Sequence, residues 1–245
     1  MGRGKERPGF WFGLAVVVLK PLLMTFTRRD WRGREHIPAA GAAIIAANHI
    51  SHIDPLTFAH FVYDNGRVPR FLVKQELFGV PFVGRLLRGA GQVPVQRRTR
   101  DAAQAVQAGV DALAAGKCVA IYPEGTISRD PQLWPMLPRT GVARLALTAG
   151  VPVIPVGQWG AQQVLWPYTK RPHLIPPRTV HYAAGPPVDL SAYAGKELTV
   201  EVLRAATDDI MRAVRAQVAQ LRGETAPEEF FDPRGADDHG ERRSA

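Results

Sequence analysis

Two histidines, a serine and an aspartate stand within seven residues in segment 48–54, which reads NHISHID. His49 and Asp54 are five residues apart, so a turn that leads into a helix could bring the carboxylate onto one imidazole nitrogen. Such a pair fixes the tautomer of the ring and stabilises its protonated form, which leaves the second nitrogen free to accept a proton. The spacing therefore favours general-base chemistry.

The same residues allow other interpretations. His49, His52 and Asp54 could bind zinc or iron, because imidazole and carboxylate groups are ligands of both metals. No fourth ligand stands out elsewhere in the chain, so no metal site is predicted. Ser51 lacks the flanking glycines of a strained nucleophile turn. Asp54 could also act only as the cap of a helix.

Two further segments carry side chains suited to a phosphorylated substrate. Residues 123–126 read PEGT after an apolar strand. Gly125 would let a substrate approach the backbone closely, and Glu124 and Thr126 offer a hydrogen-bond acceptor and a donor. Arg97 belongs to an arginine pair that could bind a phosphate bidentately. A simple turn and a solvated basic face are the alternative interpretations of these two segments.

Apolar strands alternate with helices along the middle of the chain, which indicates an α/β fold with a mostly parallel or mixed sheet and helices on both faces. Strands are predicted at 42–47, 70–73, 93–95, 118–122, 151–156 and 180–183. In such sheets, ligands bind in the loops that follow the carboxyl ends of strands. The segments 48–54 and 123–128 occupy two loops of that kind.

Composition and charge exclude several classes of protein. A chain of 245 residues with 46% hydrophobic and 22% charged residues is an ordinary globular protein. The single cysteine, Cys118, excludes a disulfide scaffold and a cysteine-based zinc finger. The net charge of +9 suits a polyanionic partner. Nucleic-acid binding would call for aromatic residues interleaved with the basic ones, whereas the basic residues cluster around an apolar stretch, so no nucleic-acid partner is predicted.

The N-terminal residues 1–34 are both basic and apolar, with apolar runs at 10–19 and 22–26. A membrane-spanning helix needs about 20 apolar residues, and Lys20 and Pro21 interrupt this stretch. No small-residue cleavage site of a signal peptide follows it. We expect an interfacial helix or helical hairpin on an anionic membrane surface, with a buried N-terminal helix as the alternative. Residues 35–222 form the predicted catalytic domain, and the acidic residues 223–245 a disordered tail.

Taken in order, four segments resemble the motifs of the 1-acylglycerol-3-phosphate acyltransferase family of glycerolipid acyltransferases. Segment 48–54 resembles the catalytic H-x4-D motif, and 91–97 the block whose arginine contacts the acceptor phosphate. Residues 121–126 resemble the F-P-E-G-T block, and 151–156 the apolar block that helps form the acyl-binding region. The resemblance extends over residues 30–190.

The third motif departs from the family at Ile127, which stands where the family has an arginine. If that arginine holds phosphate, the task passes to Lys74, Arg98 or Arg139. The acceptor is therefore less sharply defined than the reaction. Glycerol-3-phosphate, another lysophospholipid or an aminolipid are alternative acceptors, and a catalytically silent lipid-binding relative would lack the histidine–aspartate pair that this chain has.

The resemblance implies the glycerolipid acyltransferase fold and transfer of an acyl group from acyl-CoA or acyl carrier protein to the free hydroxyl of 1-acyl-sn-glycerol-3-phosphate. The product would be phosphatidic acid, made for phospholipid biosynthesis at the cytoplasmic face of the cell membrane. His49 would be the general base, oriented by Asp54, with no metal or cofactor. The residues that it implies for acceptor binding are Arg97, Glu124, Gly125, Thr126, Lys74 and Arg139.

Overall fold

A computed structural model describes residues 8–95 and 102–233. Within these residues, strands β1 to β7 span Thr27–Arg32, Ala43–Ala47, Pro69–Lys74, Val93–Val95, Cys118–Ile121, Val153–Trp159 and Arg178–Ala184. Helices α1 to α7 span Phe10–Phe26, Asp54–Asp64, Val83–Gly89, Ala102–Ala114, Gly141–Ala149, Ala161–Val164 and Val200–Arg222.

The strands form one mixed sheet in the order β1-β7-β6-β2-β5-β3-β4. Strands β2 to β6 are parallel, whereas β7 runs antiparallel to β6 and pairs in parallel with β1 at the edge. The carboxyl ends of β2 to β6 consequently meet at one edge of the sheet, which brings together loops that are far apart in the sequence. The predicted α/β class, with a mixed sheet between helices, is confirmed.

Alternate residues of β2 pack into two separate cores, which explains why the whole strand is apolar. Ile45 and Ala47 face a core that includes α2, and Ile44 and Ala46 face a core formed with α4, α5 and α7. All five residues of β2 are buried. Burial on both faces is what an unbroken apolar strand predicts for a parallel sheet.

Strand β1 has no counterpart among the predicted strands, because Thr27–Arg32 reads TRRDWR and lacks an apolar run. It lies at the edge of the sheet, where a charged strand can keep its side chains in solvent. Asp30 accepts a hydrogen bond from the ring of His181 on β7 at 2.8 Å. The sheet therefore begins before residue 35, where the sequence places the start of the main domain.

The described part of the N-terminal segment that precedes β1 forms one helix, α1, which continues through Pro21. Its inner face buries Phe12 and Leu23, and Phe12 packs with Val68 and Ala90 of the domain. Its outer face is open, with Phe10 75% exposed. None of the helices in residues 8–95 and 102–233 is long and apolar enough to cross a bilayer.

The described part of the acidic tail contacts the domain, in contrast to the disorder expected from its composition. The backbone N–H of Leu137 donates to the carbonyl of Phe231 at 3.0 Å. The guanidinium of Arg215 lies over the ring of Phe230 at 4.2 Å. The two phenylalanines supply the apolar surface that the rest of the tail lacks. Residues 234–245 lie outside the described residues.

Candidate active site

The loop between β2 and α2 is organised by the buried carboxylate of Asp54. Its Oδ2 atom accepts hydrogen bonds from the backbone N–H groups of Ile50 at 2.6 Å and Ser51 at 2.7 Å. The same oxygen lies 2.8 Å from Nδ1 of His49. Asp54 is also the first residue of α2, so its charge sits at the positive end of the helix dipole. The predicted histidine–carboxylate pair is thus formed within one turn.

This contact determines which nitrogen of His49 is basic. A buried carboxylate needs a donor, so Nδ1 carries the hydrogen and the lone pair is on Nε2. Nε2 has no hydrogen-bond partner among residues 8–95 and 102–233, and the side chain is partly exposed. The ring stacks on Tyr122 with a centroid distance of 4.2 Å. The arrangement thus holds the basic Nε2 atom of His49 in a fixed position at the edge of the sheet.

Glu124 joins the loop after β5 to the His49 loop. One carboxyl oxygen accepts the backbone N–H of His49 at 2.9 Å, and the other accepts that of Met136 at 3.0 Å. The backbone N–H of Ser128 returns a hydrogen bond to the carbonyl of His49 at 2.7 Å. Glu124 is only 3% exposed, and this burial raises the pKa of its carboxyl to about 8. The structure therefore places this predicted acceptor-binding group in the interior, behind His49.

Gly125 lies on the open side of the same turn, with a φ of 72° that favours glycine. A side chain here would also press on Arg139, because an added Cβ would fall 3.1 Å from its Nε atom and the arginine would have to shift slightly. The backbone N–H of Arg139 donates to the carbonyl of Pro123 at 2.9 Å, which holds the arginine against the turn. Its guanidinium is exposed and has no hydrogen bond or ion pair with the described part of the chain.

The other predicted binding residues differ in position. Lys74 ends β3 and is exposed. Phe71 of β3 pairs in parallel with Ala120 of β5, so Lys74 lies towards the same sheet edge as the Glu124 turn. Thr126 is half-buried on the loop that follows the turn. Arg97 and its neighbour Arg98 lie outside the described residues, two and three positions beyond the end of β4.

A buried polar network that the sequence did not reveal fixes the start of the loop between β2 and α2. The side-chain amide of Asn48 donates to the carbonyl of Gln158 at 3.1 Å and accepts its backbone N–H at 2.8 Å. The Gln158 side chain donates to the carbonyl of Asn48 at 2.7 Å and accepts from the hydroxyl of Tyr182. A glutamine inside the otherwise apolar strand β6 is the signal that could have revealed it.

His52 and Ser51, on which the alternative metal and serine sites depend, make other contacts. His52 is exposed and meets the ring of Tyr168 edge-on at 6.2 Å. The hydroxyl of Ser51 donates to the carbonyl of Leu165 at 2.6 Å, so it serves as a structural tie. In the part of the chain that the structure describes, no group of three or more His, Cys, Asp or Glu residues could hold a metal ion.

An acyltransferase family model matches residues 28–159, which is more than half of the chain. The chain belongs to the acyltransferase family. The region that matches runs from β1 to the end of β6 and contains His49, Asp54 and the Glu124 turn. The predicted membership of an acyltransferase family is therefore confirmed.

Curated proteins named 1-acyl-sn-glycerol-3-phosphate acyltransferase are similar to part of this acyltransferase. The protein from Borreliella burgdorferi is 34% identical over 127 residues, which cover 51% of this chain and 48% of that protein. The protein from Salmonella typhimurium is 36% identical over 119 residues, or 47% of this chain and 46% of that protein. The chain thus spans about half the length of the curated relatives that it matches.

The fold of this acyltransferase is similar to that of the crystal structure of the 1-acyl-sn-glycerophosphate (LPA) acyltransferase PlsC from Thermotoga maritima. The TM-score is 0.63 at 21% sequence identity, and the alignment covers 89% of this chain and 91% of the other. At this identity the likeness establishes the fold, and the predicted glycerolipid acyltransferase fold is confirmed.

Proposed function

We propose that this acyltransferase moves a fatty acyl group from a thioester to the free hydroxyl of 1-acyl-sn-glycerol-3-phosphate, forming phosphatidic acid for phospholipid biosynthesis. The observation that carries the proposal is the His49–Asp54 pair at the edge of the sheet, in which Nε2 of the histidine has no hydrogen-bond partner within the described residues. The names of the similar curated proteins support the choice of acceptor.

In the reaction that we propose, Nε2 of His49 removes the proton of the acceptor hydroxyl while the hydroxyl oxygen attacks the thioester carbonyl carbon. An alcohol is too weak an acid to ionise by itself near neutral pH, so the base is needed. The new C–O bond forms, the C–S bond breaks as the tetrahedral intermediate collapses, and the imidazolium returns its proton to the leaving thiolate. Asp54 stabilises the imidazolium through Nδ1.

Arg139 is our first candidate for binding the acceptor phosphate. Its guanidinium, which is unpaired in the part of the chain that the structure describes, lies against Gly125. Ile127, two residues further on, stands where the family has an arginine. Lys74 reaches the same edge from β3, and Arg97 follows the neighbouring strand β4. Together, guanidinium and ammonium groups would supply the charge that a phosphate monoester needs.

Glu124, Gly125 and Thr126 have different tasks in this proposal. Glu124 acts through the backbone of His49, which it holds in place, because both of its oxygens accept backbone hydrogen bonds. Gly125 leaves room for the acceptor beside the guanidinium of Arg139. Thr126 offers a hydroxyl on the half-buried side of the same loop.

The donor that we propose is acyl-CoA or acyl carrier protein, and we infer that no metal or cofactor takes part. A thiolate is a good leaving group, so a positioned base suffices for transfer without an acyl-enzyme. The lipid acceptor places the enzyme on an anionic membrane surface, at the cytoplasmic face where the thioester is available. The exposed apolar face of α1 and the net charge of +9 suit that position.

A panel of acceptors tests the proposal. The purified protein is given radiolabelled acyl-CoA with lysophosphatidic acid, glycerol-3-phosphate, lysophosphatidylcholine or monoacylglycerol, with and without a chelator. We expect phosphatidic acid from the first acceptor and an unchanged rate in the chelator. Product from another acceptor alone would replace the proposed substrate, and loss of activity in the chelator would contradict metal-free catalysis.

A further inference from the structure

The loop between β3 and α3 exposes a cluster of apolar side chains close to the sheet edge that carries His49. We name residues 77–83 the apolar loop: Leu77, Val80, Phe82 and Val83 are all exposed, and Phe82 is 85% exposed. The apolar loop begins three residues after Lys74, the last residue of β3, and therefore starts near the sheet edge that carries His49. A phenylalanine presented this fully to water is unfavourable unless something covers it.

The backbone holds Phe82 outward in a conformation that costs free energy. Phe82 has φ 61° and ψ −51°, and the backbone N–H of Val83 donates to the carbonyl of Pro81 at 2.7 Å. These values describe a γ-turn whose central residue has positive φ, a rare and strained conformation for a residue other than glycine. Strained residues of this kind concentrate at functional positions.

The apolar loop is also well braced. Phe78 is buried at its base, and the guanidinium of Arg88 donates to the carbonyl of Phe78 at 2.6 Å. Gly84 packs so closely that an added Cβ would fall 2.0 Å from the same carbonyl oxygen. The outward direction of Phe82 is thus set by the fold around it and is not a feature of a free loop.

The outer face of α1 exposes further apolar side chains on the same side of the sheet. Helix α1 packs against α2 and α3, with the ring of Trp11 directly on Gly89. Residues Phe10, Val17 and Leu22 are at least half exposed along its outer face. Two separate apolar surfaces, one helical and one at a loop tip, therefore face outward from one layer of the molecule.

The charges beside these surfaces are mainly basic. Lys74 and Arg85 flank the apolar loop and are exposed, with Glu76 as the acidic residue between them. Arg28 is exposed just beyond the end of α1. Apolar side chains bordered by cations match a bilayer surface that contains anionic lipid, where the rings enter the acyl region and the cations meet phosphate groups.

From these observations we propose that the apolar loop is a membrane-insertion site, with Phe82 as its anchor, and that it acts together with α1. This proposal rests on the proposed action on a lipid acceptor, because insertion next to the sheet edge that carries His49 would bring this residue towards the bilayer surface. The partner is the bilayer itself, and a second copy of this chain is the competing occupant.

A fluorescent probe tests insertion directly. Cys118 is the single cysteine and is buried, so Phe82→Cys provides one reactive thiol for a nitrobenzoxadiazole label. Val200→Cys is the matched control, since Val200 is 54% exposed at the start of α7 on the opposite face of the sheet. Vesicles of phosphatidylcholine with phosphatidylglycerol should increase the emission of the first label and leave the second unchanged. Equal responses, or no response from either, would overturn the proposal.

Binding of the unlabelled protein gives an independent measurement. Phe82→Ser should weaken binding to the same vesicles, measured by sedimentation, about tenfold. This is the scale of the free energy gained by burying one large apolar side chain, which the variant loses. Its turnover with a monomeric short-chain acceptor in vesicle-free buffer should equal that of wild type. A change in oligomeric state with unaltered vesicle binding would identify a second copy as the occupant and refute the proposal.

These measurements also separate the two proposals. If labelled Phe82→Cys enters vesicles but wild type acylates no lysolipid, the insertion site stands and the proposed function fails. If wild type makes phosphatidic acid while the label stays in water, the function stands and the insertion site is refuted.

Discussion

Asp54 is the residue on which the geometry of the site depends, because one of its oxygens accepts two backbone N–H groups and faces Nδ1 of His49. Asp54→Asn keeps the shape and the two backbone hydrogen bonds but removes the charge that stabilises the imidazolium. We expect the turnover to fall by about 10²–10⁴, the usual contribution of a positioned acid–base group. Turnover at saturating substrate and the thermal unfolding midpoint are measured together. A folded variant with nearly full turnover would contradict the role of Asp54.

The buried carboxyl of Glu124 should make the free energy of unfolding depend on pH. Its pKa is raised from an ordinary 4.5 to about 8 by burial, so between these values the folded protein binds more protons than the unfolded chain. The free energy of unfolding must then fall as the pH rises through this interval. Glu124→Gln should remove that fall, a difference of a few kcal/mol since one pKa unit is about 1.4 kcal/mol. Urea unfolding at pH 5 and pH 8.5 measures it.

The control for this prediction is Glu197→Gln, a change at an exposed glutamate. Its stability should follow the wild-type pH profile throughout. Parallel profiles for wild type and Glu124→Gln would mean that the buried carboxyl does not contribute to the pH dependence.

Arg139 is expected to recognise the acceptor phosphate, since its guanidinium is unpaired within the described residues and lies against Gly125. Arg139→Ala should raise the KM for lysophosphatidic acid about tenfold or more, which corresponds to loss of a charge-assisted hydrogen bond, with a smaller effect on kcat. Steady-state kinetics with lysophosphatidic acid and monoacylglycerol measure this, because only the first acceptor carries a phosphate. Arg144→Ala, at an exposed arginine on α5, is the control. An equal loss with both acceptors would argue against phosphate recognition.

Local spacing predicted the histidine–aspartate pair because both residues lie in one turn, where five residues determine the geometry. The position of Glu124 could not be predicted in this way. Its partner N–H groups belong to His49, 75 residues away, and to Met136, so the contact depends on how the strands are ordered. The same holds for Asn48 and Gln158, which are 110 residues apart and become neighbours only because β2 pairs with β6.

At the level of elements, the attachment of α1 depends on Asp64 at the end of α2. Its carboxylate accepts from Lys20 of α1 at 2.6 Å and from Arg29 and Trp31 of β1 at 3.0 and 3.1 Å. Although burial acts to raise it, the ion pair with His60 and the hydrogen bonds from Lys20 and Trp31 hold the pKa of Asp64 well below its usual range. One side chain thus joins three elements.

Asp64→Ala should lower the free energy of unfolding by about 1–3 kcal/mol at pH 7, the usual effect of removing a partly buried hydrogen-bonded charge. Because the pKa of Asp64 is lowered in the folded state, this contribution is present above the unfolded pKa and is lost as the pH falls, so the difference should shrink in acid. Chemical denaturation of wild type and variant at pH 7 and at an acidic pH measures this difference in the free energy of unfolding. Asp111→Ala, at an exposed aspartate of α4, is the control. Equal effects of the two substitutions would contradict the prediction.

The strands could be predicted from the sequence where both of their faces are buried. Strands that are buried on both faces, such as β2 and β5, are apolar throughout and stand out in the sequence. β1 was not predicted because four of its six residues are charged, and its strand conformation depends on pairing with β7. The turn at Phe82 was also not predictable, since its γ-turn is stabilised by Phe78 and Gly84 packing beneath it.

Across the whole molecule, the two helix layers differ in what they leave exposed. One layer, with α4, α5 and α7, packs against the sheet and the described part of the tail. The other, with α2 and α3, is covered by α1, whose outer face is apolar. We infer that the second layer faces a membrane, with the site at the adjoining edge. A lipid acceptor would then reach His49 without leaving the bilayer surface entirely.

The most direct test of this account is the rate of phosphatidic acid formation from acyl-CoA and lysophosphatidic acid by wild type, His49→Ala and His52→Ala. The two histidines stand three residues apart in one loop, yet only His49 contacts Asp54. We predict that His49→Ala lowers the rate at least about 10²-fold, while His52→Ala stays within a few fold of wild type. Full activity of a folded His49→Ala variant would contradict general-base catalysis by His49.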